Sequence, residues 1–152
     1  MKHGGIMRPD ELADGRPGRT SNLGFSLIEL MVAVAIVAIL LSIGVPSYRD
    51  YVRRGAAAEA VAVIGQGRVA AEQFFLDNRT YDGMPCPDDT RTFDVACVAE
   101  DDPAEPPTYT ITATGNGNMD GFVYTVNQAN VRTTESPWGD GNCWITRRGD
   151  GC

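Results

Sequence analysis

Histidine and lysine are almost missing from this 152-residue chain, which has one of each, His3 and Lys2, both at its start. No imidazole or side-chain ammonium follows residue 3. That removes the usual parts of a histidine-activated nucleophile, a histidine-ligated metal centre and a phosphate-binding lysine. Cys-x-x-Cys spacing is also absent among the four cysteines, which sets aside the common zinc and dithiol redox sites. Positive charge is scarce too. Beyond residue 24 the chain has nine basic and 17 acidic residues, a formal −8. Such a balance opposes unselective attachment to nucleic acid or anionic lipid, because counterion release needs clustered Lys and Arg. No enzymatic activity, cofactor or metal is expected.

What the chain does have is apolar residues gathered in one place. Residues 25–45 form a predominantly apolar run of 21 residues, about 31 Å as a helix against a bilayer core of about 30 Å. One carboxylate, Glu29, lies inside it. An ionised side chain costs roughly 2.5–3.5 kcal/mol at the centre of a membrane helix and less near its end, so it marks a position with a task. A secretory signal has a shorter apolar core, about 7–15 residues, with the cleavage site after it. Here Gly24 precedes the run, so a cut after it leaves the hydrophobic helix on the product.

The junction Gly24-Phe25-Ser26-Leu27-Ile28-Glu29 resembles the signature of the type IV prepilin family: a glycine, an aromatic start residue, an apolar helix and a glutamate at its fifth position. The resemblance implies that a membrane prepilin peptidase cuts between Gly24 and Phe25 and methylates the new amine of Phe25. It also implies that Glu29 pairs with the start-residue amine of a neighbouring subunit during assembly. Opposite charges in a low-dielectric medium attract strongly enough to offset part of their desolvation. The domain plan that follows is a leader over 1–24, a hydrophobic transmembrane and assembly helix over 25–45, and a periplasmic or extracellular globular domain over 46–152. The leader, with four basic and three acidic residues, is longer and less basic than is usual in that family, and Met7 is an alternative start. Arg49, Arg53 and Arg54 flank the far end of the run, so charge alone fixes no orientation. The resemblance places the amino terminus inside. Its implied partners are other pilin subunits, the peptidase, the assembly platform of the inner membrane and, before export into an extracellular pilus, the membrane itself.

Cys86, Cys97, Cys143 and Cys152 permit three pairings. Beyond a membrane anchor, oxidised pairs are the physical default. Sequence proximity favours Cys86–Cys97 and Cys143–Cys152, each closing a short loop and stabilising by roughly 2–4 kcal/mol. Crossed pairs and free thiols are the alternatives. Pro46, also an assembly position, is expected to interrupt and kink the helix. The helix then resumes over about 47–76, where Val52, Ala56, Ala60, Val63, Gly67, Ala70 and Phe74 recur at three- and four-residue intervals, widened by Ile64, Ala71 and Phe75. That stripe is a seat for a sheet. Residues 78–107 read as one long stapled loop, with the acidic Glu100-Asp101-Asp102 as a solvated face. Residues 108–114 and 121–127 alternate as half-buried strands, and 130–134 and 142–146 are shorter candidates. The fold class is α+β and pilin-like, a long amino-terminal helix whose second half packs on an antiparallel sheet.

Asn116-x-Asn118-x-Asp120-Gly121 opens like a calcium loop, but Asn127 stands where the bidentate glutamate is needed. A turn explains the same residues. Asn78-Arg79-Thr80 fits a glycosylation triplet of the kind common by chance. The segment from Cys143 to Cys152, a tryptophan-bearing strand followed by a terminal disulfide loop, resembles the end of minor pilins. The preferred function is therefore a minor structural subunit of a type IV pilus. Two alternatives stand beside it: a DNA-binding competence pilin, for which Arg132, Arg147 and Arg148 would supply a local basic patch, and a type II secretion pseudopilin. Adhesion, twitching motility and DNA uptake are implied by resemblance alone.

Overall fold

The computed structural model describes residues 24–103 and 105–152, so Lys2, His3, Met7 and all of the expected leader except Gly24 lie outside the described residues. Among the described residues one helix, α1 (Leu27–Asn78), is followed by four strands, β1 (Phe93–Glu100), β2 (Thr108–Gly115), β3 (Val123–Asn127) and β4 (Arg132–Glu135), with a single 3-10 turn, Gly117–Met119, between β2 and β3. The chain divides after Ile39 into two units. The first carries the beginning of α1. The second, Leu40–Cys152, holds the remainder of α1 and the whole sheet.

The apolar part of α1 needs no tertiary partner to be helical, because a helix satisfies its backbone hydrogen bonds internally. Every residue from Gly24 to Arg49 is exposed, and the helix is long and apolar enough to cross a membrane. The expected interruption at Pro46 is corrected: α1 runs through it as one assigned helix. A single proline removes one donor and leaves the neighbouring turns bonded. One turn on, Ser47 Oγ donates to the carbonyl of Ile43 at 3.2 Å. The helix ends at Arg79, whose φ of 60° breaks the spiral while its N–H still reaches the Phe75 carbonyl at 2.8 Å. That is a left-handed C-terminal cap built without glycine.

Small residues decide how α1 meets the sheet. Ala57, Ala60, Ile64, Gly67 and Ala71, spaced by three and four, are all buried. The seam lies at the centre of the expected stripe, with Val63, Ala70 and Phe74 half-buried on its flanks and Val52 exposed. Gly67 is the closest approach. A Cβ there would stand 2.4 Å from Pro87 Cγ and 3.2 Å from Ile111 Cδ1, so only glycine lets the helix backbone lie against both the loop and β2.

The sheet is an antiparallel meander in the order β1-β2-β3-β4. Register places Cys97 opposite Ile111, Ile111 opposite Val126, and Ala113 opposite Tyr124. These positions, with Phe93, Tyr109, Phe122, Met119, Trp138 and Ile145, form the core over the helix seam. Alternate residues face away, as the period of two requires, and in β2 all four of them are threonines. Phe93 sits opposite Gly115, where any side chain would collide with the Met119 carbonyl, 2.0 Å from the Cβ position.

Two expectations about strands are corrected. The supposed loop over 78–107 contains β1, eight residues long. Its inward positions are Phe93, Val95, Cys97 and Ala99, and the small Ala99 and disulfide-bonded Cys97 make a weak apolar signal between acidic flanks. Residues 142–146 are not a strand. Only an isolated bridge, Thr134 to Gly141, starts in that direction, because the segment bonds to side chains instead of a strand backbone. Thr134 Oγ1 donates to the Cys143 carbonyl at 2.7 Å and accepts from the Ile145 N–H at 3.0 Å. Tyr124 donates its phenolic proton to the Ile145 carbonyl at 2.9 Å.

Candidate functional site

Three groups of residues were singled out by sequence: the junction at the head of the apolar run, the four cysteines, and three arginines. At the junction Gly24, Phe25 and Ser26 precede α1, and Phe25 is 83% exposed. The Leu30 N–H bonds to the Ser26 carbonyl at 3.1 Å, which fixes the first turn. Glu29 lies in that turn. The unpaired N–H groups there carry a partial positive charge that favours a carboxylate, and Ser26-x-x-Glu29 has capping-box spacing. Glu29 therefore has a local electrostatic reason for its position, a signal the expected intermolecular pairing did not draw on. Gly24, Phe25 and Glu29 share one short stretch of chain; Pro46 lies in the second unit.

The cysteines are joined as Cys86–Cys97, with Cα atoms 5.7 Å apart, and Cys143–Cys152, at 5.6 Å. The first ties the segment after α1 to the inward face of β1. The second closes the carboxy-terminal segment, where Gly141 lies against it: a Cβ on Gly141 would stand 2.5 Å from Cys152 Sγ. Both bridges hold connections that lack a continuous ladder of their own.

The three arginines are given different partners. Arg132, on edge strand β4, lies with its guanidinium carbon 4.5 Å from the centre of the Trp144 ring, and its Nε donates to Asn130 Oδ1 at 3.2 Å. Trp144 is held in turn by its indole N–H, which donates to the Thr125 carbonyl at 2.9 Å. The cation–π contact fixes a planar, charged donor on an exposed edge. Arg147 and Arg148 instead line a surface hollow of about 310 Å³ with Asp50, Arg54, Trp138 and Asp150. Arg148 Nη2 is 3.8 Å from Asp50 Oδ1.

One buried polar cluster was not anticipated. Glu72 accepts from the Tyr109 hydroxyl at 3.0 Å and from the Tyr81 hydroxyl at 3.3 Å. Phe75, Tyr81 and Tyr109 follow as a chain of rings with centres 4.6 Å apart. Burial first, and the Glu72 carboxylate second, push both phenols above their ordinary range. The sequence clue was Glu72 directly beside seam residue Ala71, at a position too close to the core for a solvated acid. The cluster fastens the end of α1 to the following turn and to β2.

The remaining motifs have structural occupations. The calcium-like stretch forms the 3-10 turn whose Met119 is buried, while Asn116 Nδ2 donates to Asp94 Oδ1 at 3.0 Å and the Asn118 carbonyl accepts from Arg53 Nε at 3.0 Å. Asn78 donates its side-chain amide to the Phe74 carbonyl at 2.9 Å, and Thr80 Oγ1 bonds to Asp101 Oδ2 in the acidic β1–β2 connection. Among the described residues, no three His, Cys, Asp or Glu side chains gather as a metal cluster.

Residues 46–136 match the family described as "Type IV minor pilin ComP, DNA uptake sequence receptor". Residues 19–45 match the "Prokaryotic N-terminal methylation motif". A fimbrial protein of Pseudomonas aeruginosa is 40% identical over 68 residues, 45% of this chain and 44% of that protein. Prepilin peptidase-dependent protein D of Escherichia coli K12 is 37% identical over 84 residues, 51% of this chain and 58% of the relative. The type IV major fimbrial protein FimA of Dichelobacter nodosus is 41% identical over 63 residues, 41% of this chain and 39% of the relative. The chain thus spans between 39% and 58% of the length of these curated relatives.

Proposed function

The chain belongs to the type IV minor pilin family described as ComP, DNA uptake sequence receptor, and from that premise we propose that it is a minor subunit of a pilus that presents a DNA-contacting surface. The observation that carries the subunit reading is the joint match of the methylation motif over 19–45 and the minor-pilin domain over 46–136, directly adjoining in one chain. The protein performs no catalysis of its own. Prepilin peptidase cuts between Gly24 and Phe25 and methylates Phe25. The product waits in the inner membrane, its amino terminus inside, until the assembly platform moves it into the filament. There the exposed apolar side chains of 25–45 leave lipid and pack among the helices of other pilin subunits, where close van der Waals contact holds them. Glu29 aligns the incoming subunit by pairing with the terminal amine of one already in place, and Pro46 softens the helix beyond the apolar run.

Glu29→Val separates assembly from folding. The variant is expected to insert and fold normally, while the ratio of this protein in sheared pili to that in the membrane falls about tenfold, the effect of losing roughly 1.4 kcal/mol of alignment energy. An unchanged ratio rejects the pairing role.

The DNA reading rests on the family description and on Arg132 fixed over Trp144, with Arg147 and Arg148 adding positive charge three and four residues beyond the tryptophan. A guanidinium held over an indole ring is a preset phosphate or base-edge donor. Binding would then be weak in total charge and selective in geometry, as an acidic domain demands. Arg132→Gln should lower the affinity of the protein for duplex DNA several-fold at low salt and reduce the slope of log K against log salt by about 0.9. Equal affinity and slope would remove Arg132 from the interface.

A further inference from the structure

Five of the nine arginines beyond residue 24 converge on one end of the second unit. Arg49, Arg53 and Arg54 occupy α1 within nine residues of Val45, where the apolar run stops. Residues 49 to 54 therefore lie about 6–14 Å past that point along the helix axis. The headgroup layer of a bilayer occupies roughly 5–8 Å on each side of the hydrocarbon core. Helical side chains lean toward the helix amino terminus, which directs Arg49 and Arg54 back toward the apolar run, while Arg53 gives its Nε–H to the Asn118 carbonyl. Arg54 leans back visibly, its Nε donating to the Asp50 carbonyl one turn earlier at 3.2 Å. Tyr48 and Tyr51, 69% and 70% exposed, stand at the same level, the place where amphipathic aromatic rings prefer to sit in a membrane interface.

The fold adds what the helix alone lacks. Arg148 approaches Asp50 at 3.8 Å while its own side chain stays 67% exposed, and Arg147 borders both the hollow with Arg54 and a second depression beside Tyr51. The Cys143–Cys152 loop is thereby brought to the level of residue 50. Two aspartates, Asp50 and Asp150, share the hollow with Arg54, Arg147 and Arg148, three positive charges against two negative ones, while Arg49 and Arg53 border a neighbouring depression with Tyr48. The acidic β1–β2 connection is bonded through Asp101 to Thr80, beyond the end of α1. That is about 36 Å from Arg54 along the helix, several Debye lengths away, so the negative total does not cancel the local field.

We propose that this girdle, completed by Arg147 and Arg148 of the disulfide-closed carboxy-terminal loop, binds anionic phospholipid headgroups while the subunit is stored in the membrane. The proposal rests on the membrane-anchored reading above. It gives the terminal loop a task in the stored state: holding the globular domain against the leaflet, so that entry into the filament requires release of lipid phosphates as well as of the apolar helix.

The test reconstitutes the membrane-inserted chain in vesicles of phosphatidylcholine doped with phosphatidylglycerol and measures the relative association of spin-labelled phosphatidylglycerol over phosphatidylcholine. The wild type should prefer the anionic lipid. Arg147→Gln with Arg148→Gln should lower that preference by about fivefold for each arginine in contact, high salt should do the same, and Arg147→Lys with Arg148→Lys should retain it. Both positions are exposed, the lysine changes conserve charge, and intact disulfides check the fold. Undiminished preference in the glutamine variant overturns the proposal, as does a preference that stays the same while added duplex DNA is lost from the variant, which assigns the loop to nucleic acid. A chain that fails to float with either vesicle overturns the anchored reading together with this one; insertion without anionic preference overturns this one alone.

Discussion

The two halves of α1 use apolar residues in opposite ways. Up to Val45 the helix carries bulky Leu, Ile, Val and Met side chains, all exposed. From Ala56 to Ala71 the buried positions are Ala, Gly and a single Ile. Hydrophobic mass is displayed on the exposed half, and withheld where the partner is the chain's own sheet. Internal packing needs short distance more than large side chains, because the aromatic bulk is supplied from the strands by Phe93, Tyr109 and Tyr124.

The contrast is broken most directly at two isoleucines. Ile64 is fully buried, and Ile64→Ala should destabilise the globular part by about 2–5 kcal/mol. Ile36, 53% exposed, should tolerate the same change with no shift in the thermal melt of the detergent-solubilised protein. Equal losses would mean that the exposed half supports the fold after all.

Glycines sharpen the comparison at a smaller scale. Gly67→Ala pushes a methyl group into Pro87 and should cost about 1–3 kcal/mol in a urea melt. Gly44 has nothing within 4 Å of its Cβ position, and Gly44→Ala should leave stability unchanged or raise it by up to about 1 kcal/mol. A neutral Gly67→Ala would show that the loop carrying Pro87 gives way freely.

The weakest expected effect concerns pH. Burial pushes the Tyr124 phenol from 10.0 up to about 12, and Tyr109 and Tyr81 are raised with it. A raised phenol binds its proton more tightly in the folded state. Its contribution is therefore complete below pH 10 and is lost as pH climbs toward about 12. Urea midpoints should hold steady up to pH 10 and then fall, less steeply for Tyr124→Phe. Since the displayed half of α1 has no tyrosine before Tyr48, helicity of a membrane-inserted peptide covering 25–45 should show no such alkaline transition.

Much of this architecture was legible in residue order. A 3.6-residue period and a 21-residue apolar run are local patterns, and so are the alternations that mark β2 and β3. β1 was not legible, because its inward row depends on Cys97 and Ala99, residues that read as apolar only once the disulfide and the helix cover them. The carboxy-terminal segment misled in the other direction: its alternation looks like a strand, but its carbonyls are claimed by Thr134 and Tyr124. At the candidate sites, Gly24, Phe25 and Glu29 stood out because their signature is contiguous. Arg132, Arg147 and Arg148 looked like one patch, and the fold gave Arg132 to Trp144 and the other two to the Asp50 side of the helix.

Sequence alone determined the helix, its apolar length, the isolated carboxylate at its head and the junction that matches the methylation motif, since the first three follow from short-range geometry and the cost of placing charge in hydrocarbon and the last is a contiguous signature. Tertiary structure alone decided which arginines share a surface, which acid receives the two buried phenols, and that Gly67 is a contact point and not a flaw in the helix. Those outcomes depend on residues from 9 to 98 positions apart being brought within a few ångströms, and no local pattern records a distance that only packing creates.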